Sequence, residues 1–147
     1  MTESLSQLIL RDLGKLQREI ESYRDEQNLW IVSQDISNTA GNLCLHLVGN
    51  LRHFIGHILG GAPYTRDRHG EFNDKNISRE RLVELIGLAQ SEVSGALSGM
   101  GGEDLSRTYP LAVFGHDMTT EYFLIHLHGH LNYHLGQINY HRRLLDV

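Results

Sequence analysis

The sequence predicts an all-α protein, an antiparallel four-helix bundle, and three observations lead to that prediction. Four segments carry apolar residues at three- and four-residue steps, the spacing that keeps them on one face of an α-helix. The two prolines, Pro63 and Pro110, fall between these segments rather than inside them. No set of alternating apolar and polar residues predicts strands. The 147 residues are enough for one domain with a real core, so we expect a single domain over residues 1–147.

The first predicted helix covers residues 4–25, and a connection rich in Ser, Asn and Asp follows at residues 31–38. Apolar residues recur along this helix at helical steps: Leu5, Leu8, Ile9, Leu13, Leu16 and Ile20. The second helix begins after Asn38 or Thr39, either of which has a side chain suited to cap it, and runs to about Leu59, where two glycines follow. Its predicted apolar stripe is Leu43, Leu47, Leu51, Phe54 and Ile58.

A long polar loop is predicted between the second and third helices, from Ala62 to Ile77, because this segment is rich in Pro, Gly, Asn and Asp. Ser78 then caps the third helix, and the sequence Gly99-Met-Gly-Gly ends it. The apolar residues along this helix are Leu82, Leu85, Ile86, Ala89, Val93 and Leu97.

The chain crosses back to the fourth helix through residues 106–115, in which residues 109–114 are expected to be extended or briefly β-like. Asp117 or Thr119 opens the fourth helix, which is predicted to run to about Leu145. The apolar stripe of this helix is Leu124, Leu127, Leu131, Ile138 and Leu145.

Composition narrows the class of protein. The formal net charge is −5 and Lys and Arg form no block, which argues against a nucleic-acid partner. No apolar run approaches the roughly 18 residues of a membrane span, and the first residues do not read as a secretory signal. The lone Cys44 cannot form an internal disulfide and reads as a small buried apolar residue, which fits a cytoplasmic protein.

The ten histidines are the unusual part of the composition. His130 and His134 are four residues apart on the fourth predicted helix, so their rings lie on one face about a turn apart, where both can reach one metal ion. A row of polar residues flanks the apolar stripe of the second helix and offers a third ligand: His46, Asn50, His53 and His57. The pair lacks the Glu of the H-E-x-x-H signature, so the sequence contains no general base within the motif.

Other histidines have plainer interpretations. On a 100° helical step, His128 points away from the apolar stripe and is predicted to be solvated, while His126 lies toward the edge of the stripe. His141 lies near the end of the fourth helix, where a cationic side chain complements the helix dipole. In a further interpretation, all ten histidines are core and surface residues that bind no metal.

Two segments resemble the DinB/YfiT-like superfamily: His46-Leu-Val-Gly-Asn-Leu-Arg-His53-Phe, and His126-Leu-x-x-His130-x-x-x-His134-x-Gly-Gln-Ile. The resemblance covers nearly the whole chain and implies a four-helix bundle of the DinB-like type with a long loop after the second helix. It also implies a divalent metal ion, nickel or zinc, bound by His46, His130 and His134. His53 is the alternative third ligand, because sequence does not give the register between helices.

The resemblance also implies a function class. Characterised members include S-transferases that use low-molecular-weight thiols and a thiol-dependent isomerase, so we expect an open metal site that activates a thiol or water for a small-molecule substrate. The alternative is a metal-binding or interaction protein without turnover, since no Asp or Glu beside the three histidines reads as a dedicated base.

Two further groups of residues bear on substrate and partner. Tyr64, Arg66, Arg68 and Glu71 in the long loop could line a substrate pocket, with Arg binding a carboxylate, although solvated loop charges are the preferred interpretation. Tyr122, Tyr133 and Tyr140 follow one line on the fourth helix, off its apolar stripe. Tyr is enriched at interfaces, and members of the superfamily often pair, so a homodimer is expected.

Overall fold

The computed structural model describes all residues, 1–147, and confirms the all-α prediction. The α-helices are α1 (Thr2–Ser22), α2 (Ala40–Leu51), α3 (Arg68–Asn73), α4 (Arg79–Ser98), α5 (Gly102–Ser106) and α6 (Thr120–Leu145). A 3₁₀ turn spans Glu26–Trp30, and a π-helical segment, Arg52–His57, continues α2. None of the helices combines the length and the apolarity that crossing a bilayer requires.

Side-chain caps fix where three of the long helices begin. The hydroxyl oxygens of Thr39, Ser78 and Thr119 each accept a hydrogen bond from the backbone N–H three residues later, at 3.0 Å for Thr39 and 3.1 Å for the other two. Such a bond satisfies one of the backbone donors that a helix leaves unpaired at its start. Of the alternatives left open by the sequence, the caps are therefore Thr39 and Thr119 rather than Asn38 and Asp117.

The core lies where the apolar faces of the long helices meet. α1 packs against both α4 and α6, and α2 packs against α4 and α6 as well. The side chains fully buried in this core include Ile9, Leu13, Leu16, Ile20, Leu47, Leu51, Leu82, Ile86, Leu124, Leu131 and Ile138. Cys44 is buried among them as predicted, and burial raises the pKa of its thiol to about 12. The predicted stripes of α1, α4 and α6 thus supply nearly half of the core.

The second predicted helix changes its winding part-way, from an α-helix to a π-helix. The N–H of Ile58 donates to the carbonyl of His53, and the N–H of Gly60 donates to that of Ile55, both over 3.0 Å and both across five residues. A π turn holds more residues than an α turn, so the buried face shifts along the chain. Ile55 is fully buried, whereas Phe54, which the α-helical stripe predicted, is half-buried.

The two predicted connections contain more structure than expected. The long loop after the second helix includes α3, and α5 precedes the segment that crosses back to α6. That segment forms one β-bridge, between Thr108 and Thr119, rather than a strand. The N–H of Tyr109 donates to the carbonyl of Met118 at 2.9 Å, so the brief pairing fastens the crossing segment next to the start of α6.

A buried carboxylate joins α1 to α6 and overturns the prediction for His128. Asp12 is fully buried, and one of its oxygens lies 2.8 Å from both His128 Nε2 and Asn132 Nδ2. Its other oxygen accepts from Arg11 Nε at 2.8 Å. Burial alone would raise the pKa of Asp12, but these hydrogen bonds hold it well below its usual value. His128 is therefore a half-buried structural partner rather than a solvated residue.

His141 also has a structural role that differs from the predicted one. Its ring is buried, with Nδ1 2.6 Å from the hydroxyl of Tyr23 and Nε2 2.8 Å from the carbonyl of Ile31. Both ring nitrogens are therefore used in fastening the end of α6 to the segment that follows α1. The interpretation of His141 as a complement to the helix dipole is unnecessary.

Candidate metal centre

α2 and α6 bring three histidines together half-way along the molecule. The ring centroids of His46 and His130 are 4.9 Å apart, those of His46 and His134 are 5.2 Å apart, and those of His130 and His134 are 4.6 Å apart. One ring nitrogen from each histidine lies within 4.8 Å of the other two. These are the three residues that the resemblance predicts as metal ligands; that they bind an ion is still a prediction.

Hydrogen bonds at the outer side of two rings leave their inner nitrogens free. Nδ1 of His46 lies 3.0 Å from a carboxylate oxygen of Glu71, and Nδ1 of His134 lies 2.7 Å from the amide oxygen of Gln137. An oxygen acceptor at Nδ1 fixes the proton there and leaves the Nε2 lone pair available to a metal. Nε2 of His46 faces Nε2 of His130 at 3.1 Å.

The spacing of the His46 and His130 nitrogens and the chemistry of the three imidazoles fit a divalent ion. Two nitrogens that each lie ~2.0–2.1 Å from one ion are separated by roughly 2.9–3.4 Å, depending on the angle between the bonds, and 3.1 Å falls in this range. Nδ1 of His130 is buried without a hydrogen-bond partner, so this ring, unlike those of His46 and His134, has no acceptor at its outer nitrogen. Three imidazoles suit zinc and nickel, whereas calcium and magnesium prefer oxygen ligands.

The surroundings of His130 and His134 favour the neutral form of both imidazoles. Burial, with smaller contributions from the neighbouring His134 and His46, lowers the pKa of His130 to about 4. Burial also lowers the pKa of His134 below its usual value. A neutral ring at physiological pH offers its lone pair without first losing a proton, which favours metal binding.

Glu71, which the sequence suggested only as a loop residue that could line a pocket, lies beside the histidine cluster. α3 carries it to the cluster, where its side chain is only 5% exposed. Both of its carboxylate oxygens accept from Arg66, from Nε and Nη2 at 2.9 Å each. Burial raises the pKa of Glu71, but the hydrogen bonds from His46 and Arg66 outweigh it and hold the pKa below its usual value, so the group stays ionised. An acidic residue therefore stands beside the cluster, contrary to the sequence-based expectation.

The sequence provides space for this carboxylate at Gly49. A Cβ atom at this position would overlap the carboxylate of Glu71, so a residue larger than glycine would displace it. Asn42 fastens α3 from the same helix, since its Nδ2 donates to the backbone carbonyls of Glu71 at 3.0 Å and Asp74 at 2.8 Å. One helix thus supplies His46, the anchor for α3 and the gap that Glu71 fills.

The surplus histidines, His53, His57 and His126, lie outside the cluster. His53 packs against the ring of Phe54, and Nδ1 of His57 lies 2.7 Å from the carbonyl of Ala62. His126 is exposed and its ring lies 4.8 Å from that of Phe114. The alternative that His53 replaces His46 is therefore not supported by the positions of the side chains.

The side chains of the long loop are not simply solvated charges, which was the preferred interpretation of the sequence. Arg66 is half-buried in its ion pair with Glu71, and Tyr64 lies under the guanidinium of Arg52 at 4.2 Å from ring centroid to Cζ. Arg68 alone fits the solvated interpretation, since it is exposed and makes no ion pair. Arg66 and Arg68 both line a cavity beside His46 and His130.

Comparison with known proteins identifies the fold and the family. None of the curated proteins matches the sequence. The solved structure of a DinB-like protein from Bacillus cereus ATCC 10987 is similar, with a TM-score of 0.75 and 20% sequence identity over 97% of this chain and 91% of that chain. At this identity the similarity is one of fold, and it confirms the DinB-like fold that the resemblance implied. Residues 5–146 match the family described as "Protein of unknown function (DUF1572)". The chain belongs to this family, which is a DinB-like family.

Proposed function

We propose that this protein is an enzyme that binds one divalent metal ion, nickel or zinc, through His46, His130 and His134 and uses it to activate a thiol or water. The observation that carries the proposal is the convergence of three imidazoles with no fourth side-chain ligand among them. Structural zinc sites have four protein ligands, whereas catalytic sites have three and leave a position open. When bound in such a site, a divalent ion lowers the pKa of a coordinated water or thiol.

The neighbouring residues support an open site rather than a closed one. The carboxylate of Glu71 is held by His46 and Arg66, so it is directed at the outer side of the ligand ring. In that position Glu71 orients His46 and makes its imidazole a more basic metal ligand. The cavity beside His46 and His130 gives a small molecule access to the inner side.

The choice of a thiol rests on the superfamily resemblance, and a cytoplasmic setting suits it. Low-molecular-weight thiols remain reduced in that compartment, and the chain has a single, buried cysteine that cannot compete with them as a nucleophile. We therefore include thiol-dependent S-transfer and hydrolysis as the two reaction classes to be tested.

The test is a screen of the metal-loaded protein. Purified protein is stripped with a chelator, loaded with nickel or zinc, and supplied with a panel of low-molecular-weight thiols plus an electrophile, or with activated esters. We expect turnover with one panel, loss of turnover in His130→Ala, and retention in His53→Ala. Stoichiometric metal binding without turnover on either panel would instead favour a metal-binding protein without catalysis.

A further inference from the structure

The cavity beside the histidine cluster runs between two rows of side chains. On the second helix the row is His46, Asn50 and Phe54, at steps of four residues. On α6 the facing row runs from His130 to Phe123. The cavity has a volume of about 360 Å³, at the small end of the range for ligand sites, and one of its ends is the histidine cluster itself.

The far end of the cavity is aromatic. The rings of Phe54 and Phe123 meet edge to face with centroids 5.1 Å apart, and Phe123 is fully buried. Phe114 lies over them at the mouth, 5.9 Å from Phe123, and is 44% exposed. Val113 beside it is exposed as well. Phe114 and Val113 thus form a partly exposed apolar edge above an aromatic floor, Phe54 and Phe123. Covering this edge with an apolar group is favourable, because apolar surface is removed from water.

The middle of the cavity holds unpaired polar groups. Asn50 is only 7% exposed, and its Oδ1 is buried without a hydrogen-bond partner. An unsatisfied buried amide costs about 1–3 kcal/mol, so a ligand that supplies a partner recovers this cost. Nδ1 of His130, on the facing helix, is buried and unpaired too. Asn50 therefore offers a hydrogen-bonding position between the cluster and the aromatic end, and His130 offers one at the cluster itself.

The charge of the lining is positive. Arg66 and Arg68 are its two permanently charged residues, and Glu71 compensates only the first, through the paired hydrogen bonds described above. Arg68 makes no ion pair, and its guanidinium lies 5.9 Å from the ring of Phe72. An uncompensated guanidinium can bind a planar carboxylate through two parallel hydrogen bonds.

We propose that this cavity binds the organic part of the substrate, and that this substrate is a small carboxylic acid with an aromatic or compact apolar body. The body packs on Phe54 and Phe123, a hydrogen-bond donor on the body meets Oδ1 of Asn50, and the carboxylate pairs with Arg68. The proposal deepens the proposed function, because it specifies what the metal centre would act on. Binding in the cavity does not itself require the metal.

The test uses metal-free, full-length protein, so that a carboxylate cannot bind to an ion instead. Three probes are titrated while protein amide resonances are followed by nuclear magnetic resonance: phenylacetate, phenylacetamide, which keeps the ring but lacks the charge, and acetate, which lacks the ring. Phenylacetate should bind at least about tenfold more tightly than either of the others, with shifts at the side-chain amide of Asn50 and at Phe114.

Variants separate the two halves of the proposal. Arg68→Gln should reduce the affinity for phenylacetate to that for phenylacetamide, and Phe114→Ser should weaken both ring-bearing probes. Arg143→Gln is the matched control, since Arg143 is an exposed arginine near the end of α6 and does not line the cavity.

Two results would overturn the proposal: no saturable shift with phenylacetate at its solubility limit, or an unchanged preference for phenylacetate in Arg68→Gln. Neither result would affect metal binding, which is measured separately. Conversely, if the protein binds no metal but prefers phenylacetate, the proposed subsite stands and the proposed function is wrong.

Discussion

The three clustered histidines differ in what holds each imidazole ring. Glu71 holds His46 and Gln137 holds His134, each through Nδ1, whereas Nδ1 of His130 has no partner. The orientation of His130 therefore depends on packing and on whatever its Nε2 binds. We expect all three to be required for metal binding, for different reasons.

Single substitutions test this at the level of metal content. His46→Ala, His130→Ala and His134→Ala should each lower the metal bound per chain well below one, because two imidazoles hold a divalent ion far less tightly than three. His53→Ala is the control and should retain a full equivalent, since His53 lies outside the cluster. Elemental analysis after dialysis measures the content. Full retention in His130→Ala or His134→Ala would remove the proposed site.

Glu71 should strengthen the metal site without binding the ion. Glu71→Ala removes the acceptor at Nδ1 of His46, and loss of such outer partners typically weakens metal affinity about 10–100-fold. Gly49→Ala should act in the same direction because its Cβ would displace the carboxylate. Competition with a coloured chelator measures the affinity.

The matched control for Glu71 is Glu92→Ala, which breaks a comparable half-buried pair, with Arg52 at 2.8 Å, outside the cluster. Equal losses of metal affinity in Glu71→Ala and Glu92→Ala would mean that Glu71 acts only through general stability. A selective loss in Glu71→Ala would identify it as a positioning residue.

Helix periodicity alone predicted only two residues of the site, His130 and His134. His130 and His134 share one helix, so their spacing alone places them together. His46 came from the superfamily resemblance, because the register between two helices is a property of packing. Glu71 lies 25 residues beyond His46, on a polar segment whose composition predicts a loop, and no spacing rule links the two.

At the scale of elements, the contact between α1 and α6 depends on Asp12. Asp12→Ala should destabilise the protein by about 1–3 kcal/mol, because His128 and Asn132 then lose a buried acceptor. Urea unfolding at pH 7 measures this. Glu84→Ala is the control, since its pair with Arg81 is exposed and should change stability by no more than about 0.5 kcal/mol.

The same carboxylate predicts a dependence on pH. The folded protein lowers the pKa of Asp12, so the stability that its ionised form contributes is fully present above the unfolded-state pKa of ~3.9 and is lost as pH falls toward the lower folded-state value. The difference in unfolding free energy between the wild type and Asp12→Ala should therefore narrow below about pH 4. A constant difference between pH 7 and pH 3 would contradict this account.

Elements with regular periodicity were predicted well, and irregular ones were not. Five of the six apolar residues predicted for α1 are fully or almost fully buried, because one uninterrupted α-helix obeys one period: Leu5, Ile9, Leu13, Leu16 and Ile20. The π-helical segment breaks the period of the second helix, so the predicted stripe residues beyond Leu51, Phe54 and Ile58, are only half-buried. Short elements such as α3 and α5 depend on tertiary contacts that a local pattern does not contain.

At the scale of the whole molecule, the proposed ion should raise stability. A ligand that binds only the folded state adds about 2.7 kcal/mol at a hundredfold excess over its Kd. Thermal melts at pH 8 should therefore show a higher Tm with nickel or zinc than with chelator, and His130→Ala should show no such difference. Identical melts of the wild type with and without chelator would mean that the ion is absent or contributes little.

The outer surface of α6 is where we expect a second copy of the chain to bind. Tyr122, Tyr133 and Tyr140 are exposed there by 58%, 66% and 63%. Gly129 and Gly136 lie between them along the helix, and nothing would contact a Cβ atom at either position. The result is an open stripe of tyrosine rings separated by small residues, which suits a symmetric contact between two identical helices.

Sedimentation over a wide concentration range tests the expected homodimer. Tyr133→Glu and Tyr140→Glu should shift the protein toward monomer, because a charge in the centre of an isologous interface is buried twice. Leu88→Glu, at an exposed apolar residue of α4, is the control and should leave the association unchanged. A single monomeric species at high concentration would rule out the dimer. A dimer that survives both Tyr substitutions would place the contact on another surface.

The π-helical segment has a consequence for how relatives of this chain would diverge. Such a segment is equivalent to one extra residue inserted into an α-helix. Deletion of one residue from positions 52–54 would restore a continuous α-helix, leave His46 and Asn50 in place, and bring Ile55 to the position of Phe54. A change in chain length at this point therefore replaces one ring of the aromatic floor and keeps the three clustered histidines. Within the family, we expect the length of this helix to vary with the substrate. The identity of its histidines should vary less.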